Sequence, residues 1–222
     1  MNWRHGILHL TVLGLAAGLA ANSACAQTRV GQAAVILNEV VRVMGPATSQ
    51  INVGDGVLRD EIVRTGLDSG ARLVMADSTN LSLGPSATIK LDRTVYNDEH
   101  SYREIAIRLT AGAFRFVTGH SAKTAYRIST SLATIGVRGT TLDIQSQRIW
   151  TRVVLQDGAS RVCTLGGQCL ELTLPGETAT ITSTGGKVTI QKTSTPPWTF
   201  AANCAAAAGL CSVTHMPMPH PR

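Results

Sequence analysis

Apolar and polar residues alternate repeatedly between Ala33 and Lys192, and this pattern predicts short, half-buried strands. Turn signals rich in glycine, proline and aspartate separate the apolar runs. They include Gly54-Asp55-Gly56, Asp68-Ser69-Gly70, Gly84-Pro85, Gly112, Asp157-Gly158, Pro175-Gly176 and Gly185-Gly186. Short strands at this spacing indicate an all-β domain. The repeated units leave two architectures open, a sandwich of two sheets or a solenoid of stacked β-turns.

The first residues follow a different pattern, that of a secretory signal peptide. Arg4 precedes an apolar run from Gly6 to Ala21, and Ala24-Cys25-Ala26 provides a small-residue cleavage site. The run is shorter than the roughly 20 residues that span a membrane. We therefore expect cleavage after Ala26 and a soluble, periplasmic mature chain. A lipid-modified Cys25 is the less favoured alternative, because the leucine that usually precedes such a cysteine is missing.

The remaining chain divides into two predicted parts. Residues 27–192 form the all-β domain, and residues 193–222, rich in proline and alanine, form a C-terminal appendage. Four cysteines permit three disulfide pairings in an oxidising compartment. We favour the local one, in which each bridge closes a short loop: Cys163 with Cys169, and Cys204 with Cys211. Their spacing is wider than that of a typical zinc site.

Composition narrows the class of partner. Aromatic residues make up only 4% of the chain, so the core must be built from aliphatic side chains. The formal net charge is +6, and the arginines are scattered. A nucleic-acid groove would need clustered charge and stacking aromatics, so we expect no nucleic-acid partner. A mildly basic exported protein is suited to an anionic envelope polymer.

Candidate catalytic residues are few. His120 and Ser121 are adjacent, and neighbouring residues of an extended segment point to opposite sides, so they are poorly placed to act as a base and nucleophile. Asp98, Glu99 and His100 lie at a polar hairpin tip, where carboxylates are usually solvated. No nucleophile elbow or phosphate-binding loop is present. The sequence therefore predicts a non-enzymatic protein without a cofactor.

The C-terminal tail offers a weak metal candidate. Imidazole and thioether groups of this kind select copper. A complete ligand set with fixed geometry is lacking, so we favour a disordered tail, under weak selection, that holds no metal. The candidate ligands are His215, Met216, Met218 and His220.

The stretch from Ala133 to Ile144 reads ATIGVRGTTLDI, with Arg138 and Gly139 inside an otherwise apolar and β-branched run. The alternation on both sides of Gly139 predicts two strands interrupted at that glycine. Arg138 could fix this sheet corner through its fork of donors, or hold a carboxylate of a ligand. We expect the corner, with Arg138 as its pin.

Three ordered blocks resemble the FecR domain family from about Val53 to Leu155. The first runs from Gly54-Asp55-Gly56 to Gly84-Pro85, the second contains Gly112 and Phe116, and the third contains Val137-Arg138-Gly139-Thr140. Departures are modest: Ser78, Ser131 and Leu142 stand where the family often has glycine, proline and phenylalanine.

This resemblance implies a non-enzymatic, periplasmic all-β signalling module. The best-known members of the family sense an outer-membrane siderophore receptor and control a sigma factor, using a cytoplasmic segment and a membrane helix ahead of the domain. Here the domain follows a cleavable signal, so a free-standing module is expected. Its predicted partner is another envelope protein, and the alternative is a scaffold that binds peptidoglycan or polysaccharide.

Overall fold

A computed structural model describes residues 27–98, 100–207 and 209–212. Within these residues the chain forms seventeen strands, a 3-10 turn at Lys123–Ala125 and a short helix α1 at Ala201–Cys204, which confirms the all-β prediction. The first nine strands are β1 (Arg29–Leu37), β2 (Val40–Met44), β3 (Ala47–Gln50), β4 (Gly56–Leu58), β5 (Ile62–Thr65), β6 (Gly70–Met75), β7 (Asn80–Leu83), β8 (Thr88–Asp98) and β9 (Ser101–Val117). The others are β10 (Tyr126–Ser129), β11 (Ala133–Val137), β12 (Thr141–Ser146), β13 (Trp150–Asp157), β14 (Ser160–Thr164), β15 (Cys169–Leu172), β16 (Thr178–Thr184) and β17 (Lys187–Thr193).

Some predicted features lie outside the described residues. They are the signal peptide at 1–26 with Cys25, the acidic residue Glu99, and the four candidate copper ligands of the tail. No helix in the described part of the chain is long and apolar enough to cross a membrane.

The strands form two facing sheets that share β9. Sheet A has the order β4-β1-β6-β7-β9-β12-β13-β16-β17, and its described pairs are all antiparallel. Sheet B has the order β3-β2-β5-β8-β9-β10-β11-β14-β15, with β9 and β10 parallel. The inner faces meet in one core; the rings of Phe116 in sheet A and Tyr126 in sheet B, for example, lie 5.6 Å apart.

Successive hairpins join the two sheets in turn. The β10–β11 hairpin adds to sheet B, β12–β13 to sheet A, β14–β15 to sheet B and β16–β17 to sheet A. Each sheet therefore grows sideways, as a solenoid does, while the faces pack as in a sandwich. Most of the turn signals of the sequence lie where the chain crosses from one sheet to the other.

Strand β9 changes sheets without a loop. Its first part pairs with β8 and β10 in sheet B, and its last six residues pair with β7 and β12 in sheet A. The bend lies at Gly112, whose φ is +107°. A Cβ at this position would lie 2.4 Å from the Cα of Ala87, so no side chain fits there.

The core is aliphatic, as the scarcity of aromatics predicts. In β11 the side chains of Ala133, Ile135 and Val137 are buried, whereas Thr134 and Gly136 are exposed. The same period of two occurs in β14. Burial of each valine or isoleucine contributes roughly 1.5–3 kcal/mol, so the alternation fixes which face of each strand meets the other sheet.

Both predicted disulfides are present in the favoured local pairing. Cys163 and Cys169 are register partners on β14 and β15, where the bridge lies on the outer side of sheet B. Cys204 and Cys211 close the C-terminal segment from Ser194 to Ser212, which we call the strap.

The strap crosses the outer face of sheet A. Phe200 and Leu210 are both buried against the sheet. The main-chain N–H of Phe200 donates to Asp143 Oδ2 at 2.8 Å, and Ser82 Oγ donates to the carbonyl of Leu210 at 2.5 Å. The strap thus packs as part of the fold.

Asp143 anchors this contact. Its buried carboxylate accepts from Arg115 Nε at 2.6 Å and Nη2 at 2.8 Å, and from Gln156 Nε2 at 2.9 Å. A buried carboxylate is stable only when paired and hydrogen-bonded in this way. The Arg115 guanidinium also lies 5.8 Å from the ring centroid of Phe200.

Charged side chains bridge the sheets at both open sides of the sandwich. At one side Arg42 of sheet B donates from Nη2 to the carbonyl of Gly56 in sheet A at 2.8 Å. At the other side Lys192 of sheet A donates from Nζ to the carbonyl of Glu171 in sheet B at 2.7 Å. These contacts join the two sheets where no strand does.

Glu61 is fully buried beside the first of these bridges. Its Oε2 lies 3.6 Å from Nε of Arg42, and neither carboxylate oxygen has a hydrogen-bond partner among the described residues. Burial raises the pKa of Glu61 to about 7 from its ordinary value of 4.5, and the nearby Arg42 opposes this only in part.

We predict that Glu61 makes the fold less stable at higher pH. Its stabilising contribution is complete below pH 4.5 and is lost as the pH rises through about 7. Glu61→Gln cannot ionise, so the decrease in the free energy of unfolding between about pH 5 and about pH 8 should shrink by up to about 3 kcal/mol. Urea unfolding at both pH values measures this. Glu39→Gln, at an exposed glutamate, is the matched control, and equal pH dependence in wild type and Glu61→Gln would contradict the prediction.

Candidate functional site at the Arg138 corner

The predicted motif residues do not meet at one place. Val117, Thr141 and Asp157 mark one end of the sandwich, which we call the Arg138 end. Gly84 and Pro85 lie at the opposite end, which is shared with Gly112, because Leu83 pairs with Phe114. Gly54 and Asp55 form the connection from β3 to β4, where the N–H of Gly54 donates to the carbonyl of Ala33. These residues therefore shape separate turns.

Arg138, Gly139 and Thr140 carry the chain from β11 in sheet B to β12 in sheet A, as the interrupted alternation predicts. Gly139 has a φ of +66°, a region that side chains disfavour. Its carbonyl is packed against Gly158 of the neighbouring crossover, where an added Cβ would lie 1.9 Å from the Gly139 oxygen. Two crossovers are thus stacked in van der Waals contact.

Thr140 fixes this corner through its hydrogen bonds. Its buried Oγ1 accepts from the N–H of Arg138 at 2.8 Å and donates to the carbonyl of Ala159 at 2.7 Å. Its own N–H donates to Thr118 Oγ1 at 2.7 Å. One threonine therefore satisfies groups from two crossovers.

The Arg138 side chain, expected to fix the corner, makes no contact that would do so among the described residues. It is exposed, and the guanidinium forms no hydrogen bond or ion pair with the described residues. What fixes the corner from this position is the main-chain N–H, which donates to Ala159 O at 2.9 Å and to Thr140 Oγ1. Because the buried Thr140 hydroxyl bonds groups of both crossovers, the Arg138 side chain is not needed for this and faces solvent.

Lys123 lies beside the corner and adds a second cation. A Cβ on Gly139 would contact its Cε at 3.8 Å, and its side chain is exposed. It belongs to the 3-10 turn that leads into β10. The surface of this end therefore presents two basic groups on rigid turns.

A hydrogen-bonded cluster beneath the Arg138 end holds the neighbouring turns in place. Tyr126 Oη donates to Asp77 Oδ2 at 2.7 Å and accepts from the N–H of Gly119 at 3.1 Å. The N–H of His120 donates to the carbonyl of Asp77 at 2.7 Å. Burial, together with the adjacent Asp77, raises the pKa of Tyr126 to about 12, so its hydroxyl stays a donor at neutral pH.

Sequence reasoning placed Asp77 in the first motif block but missed its partnership with Tyr126. The two residues are 49 positions apart, and no local signal connects them. Tyr126 and Thr118 are recognisable only after the fold brings the crossovers together.

The candidate catalytic residues His120 and Ser121 lie in different surroundings. The His120 side chain is exposed, whereas Ser121 is buried and its Oγ accepts from the N–H of Tyr102 at 2.8 Å. Asp98 accepts from the N–H of His100 and from Ser101 Oγ, which stabilises the β8–β9 turn. Within the described ranges no three His, Cys, Asp or Glu side chains are grouped to hold a metal ion.

Comparisons with known proteins agree with a β-sheet module of this kind. The model of the FecR protein family matches residues 61–161 of this chain. This confirms the resemblance in the sequence. The match begins after Gly54 and Asp55, which lie outside it.

Two solved structures are similar in fold. They are crystal structures, at 1.65 and 2.50 Å resolution, of a candidate anti-sigma factor from Parabacteroides distasonis. Each is 15% identical to this chain with a TM-score of 0.50, and the alignment covers 61% of this chain and 60% of that one. At this identity the likeness shows the fold alone. No curated protein matches the sequence.

We predict that Thr140, and not the Arg138 side chain, stabilises the corner. Thr140→Val keeps the shape but removes both hydrogen bonds of the buried Oγ1, to the Arg138 N–H and to the Ala159 carbonyl, so the free energy of unfolding should decrease by about 2 kcal/mol. Arg138→Ala should change it by less than about 0.5 kcal/mol, because the side chain is exposed. Chemical unfolding of both variants tests this, and a larger loss in Arg138→Ala would restore the arginine as the pin.

We predict that there is no room for a side chain at Gly158, and Gly186 is the matched control. Gly158 and Gly186 both have a φ of +81°, but an added Cβ meets no atom within 4 Å at Gly186. Gly186→Ala should cost about 1–2 kcal/mol from the backbone alone. Gly158→Ala adds the clash with Gly139 and should cost more than about 4 kcal/mol. Similar melting temperatures of the two variants would show that the crossovers are not in contact.

Proposed function

We propose that this protein is an exported, non-enzymatic signalling module that binds another envelope protein through its Arg138 end. The observation that carries the proposal is the exposed Arg138 guanidinium on a main chain fixed from both sides. The FecR domain supports a signalling role. The candidate anti-sigma factor with a similar fold is consistent with a protein partner.

The geometry of the corner favours recognition of a carboxylate. Arginine offers a planar fork of donors that matches a carboxylate in two hydrogen bonds. A rigid main chain lowers the entropy lost on binding, because only the side chain has to be ordered. Lys123 lies next to the corner and increases the positive potential there. We therefore infer that the partner presents an acidic patch.

Two disulfides support an exported protein. Bridges such as Cys163–Cys169 and Cys204–Cys211 form and persist in oxidising compartments such as the periplasm. Cleavage after Ala26 and periplasmic location remain part of the proposal. N-terminal sequencing of the protein recovered from the periplasm tests both.

Charge reversal tests the proposed binding surface. Arg138→Glu should abolish cross-linking to the partner in intact cells, since the acidic patch would then meet a like charge. Arg148→Glu makes the same change at an exposed arginine in the β12–β13 turn, at the opposite end of the sandwich, and should retain the cross-link. Melting temperatures of both variants should equal that of the wild type.

Two results would contradict the proposal. One is a full-length protein that forms no specific cross-linked species in cells. The other is a species whose yield is the same in the Arg138→Glu and Arg148→Glu variants.

A further inference from the structure

A second surface lies on the outer face of sheet A, beyond the strap. Gln145, Arg152, Thr180 and Gln191 are register partners on β12, β13, β16 and β17 and form a straight row across four strands. Their side chains point away from the core, because a neighbour of each along its strand belongs to the core or packs against it: Ile144, Val153, Ala179 with Ile181, and Ile190. Gln191 is exposed, and Gln145, Arg152 and Thr180 are partly exposed.

A tryptophan and two threonines form the next row. Trp150, Thr182 and Thr189 are register partners on β13, β16 and β17. The Arg152 guanidinium lies 5.3 Å from the ring centroid of Trp150, and its Nη1 donates to Gln145 Oε1 at 3.0 Å. These contacts hold the arginine and the amide in fixed positions before any ligand arrives.

The strap places a second tryptophan on the other side of the polar row. Trp198 lies 6.4 Å, centroid to centroid, from Phe200, whose N–H is bonded to Asp143. Asp143 precedes Gln145 by two residues on β12, which corresponds to a spacing of about 7 Å on the same face. The row of amide, guanidinium and hydroxyl groups therefore has Trp150 on one side and, on the other, Phe200 with Trp198 in ring contact with it.

The charge of this surface has one sign. Arg152 and Lys187 are its charged groups, and Lys187 pairs with Thr184 two residues along the strands from the Thr182–Thr189 pair. Asp143, the nearest carboxylate along β12, is buried and already engaged by Arg115. We call the whole set the amide face: Gln145, Trp150, Arg152, Thr180, Thr182, Lys187, Thr189, Gln191 and Trp198.

Sheet B has more arginines on its outer face, but it differs in two ways. Arg108, Arg127 and Arg161 are each paired there with an acidic residue: Asp92, Glu104 and Glu171 respectively. Neither described tryptophan lies on that side. The general positive charge that favoured an envelope polymer in the sequence is therefore partly neutralised on sheet B.

We infer that the amide face binds an acidic glycan, that is, a sugar polymer that carries carboxylates. Indole rings present a flat apolar surface with a polar N–H, which suits the C–H face of a sugar ring. Glutamine amides and threonine hydroxyls donate to and accept from sugar hydroxyls. The Arg152 fork pairs with a carboxylate. A flat row across four strands fits an extended chain better than a compact small molecule, which requires a concave pocket.

Binding to a defined polymer tests this inference. The full-length protein is titrated with soluble polygalacturonate, with the same polymer after methyl esterification, and with polyglutamate. We expect binding to polygalacturonate, at least tenfold weaker binding to the ester, which lacks the charge, and at least tenfold weaker binding to polyglutamate, which lacks the sugar. Tryptophan emission should change only with polygalacturonate.

Matched variants locate the site. Arg152→Gln and Gln191→Ala should each weaken binding to polygalacturonate, the former by at least tenfold. Arg161→Gln removes the same charge from the outer face of sheet B and should leave the affinity unchanged. Neither Arg152→Gln nor Arg161→Gln should alter cross-linking at Arg138, so the two proposals can fail separately.

Several outcomes would overturn the inference. Equal weakening by Arg152→Gln and Arg161→Gln would mean that net charge alone attracts the polymer. Equal affinity for polyglutamate would assign the face to an acidic protein segment. No binding to polygalacturonate by the folded wild-type protein would exclude an acidic glycan of this type.

Discussion

Strand β9 belongs to both sheets, and the rest of the structure depends on this constraint. Strands β1 to β8 pair among themselves and with β9, and strands β10 to β17 do the same, but no described pairing joins the two groups directly. The bend at Gly112 lets one strand serve both sheets, and it exists because no Cβ occupies the space beside Ala87. Both halves of the core are therefore aligned through a single strand.

Several crossovers between the sheets are stabilised in the same way, by a buried side-chain oxygen that forms hydrogen bonds with main-chain groups. Thr140 bonds groups of two crossovers, Thr65 Oγ1 donates to Gly84 O and accepts from the N–H of Ala87, and Glu177 accepts from the N–H groups of Thr173 and Leu174. Each pin is buried, so its hydrogen bonds are not weakened by competing water. Long side chains such as that of Arg138 are consequently not needed to hold the turns and can face a partner.

The sequence alone predicts the features that depend on residues close together in the chain. Alternation around Gly139 predicts the two strands, and short loops predict both disulfides, because these features are set within about ten residues. The sequence alone does not predict that Thr140 fixes the corner, because Thr140 forms hydrogen bonds with Ala159 and Thr118, which only the fold brings close. The sheet to which each hairpin belongs is also undetermined locally. Ser78, which stands where the family often has glycine, adopts a φ of +66°, so the departure falls on a left-handed turn.

The alternating addition of hairpins has a consequence for how such a fold can change over evolutionary time. The residues matched by the family, 61–161, run from β5 to β14 and occupy the middle of both sheets. The strands outside the match, β1 to β4 and β15 to β17, lie at the two margins, where a hairpin can be gained or lost without breaking any pairing in the middle. The amide face uses two central strands, β12 and β13, together with the marginal strands β16 and β17 and the strap. A lineage can therefore acquire or discard such a surface while the Arg138 corner stays intact.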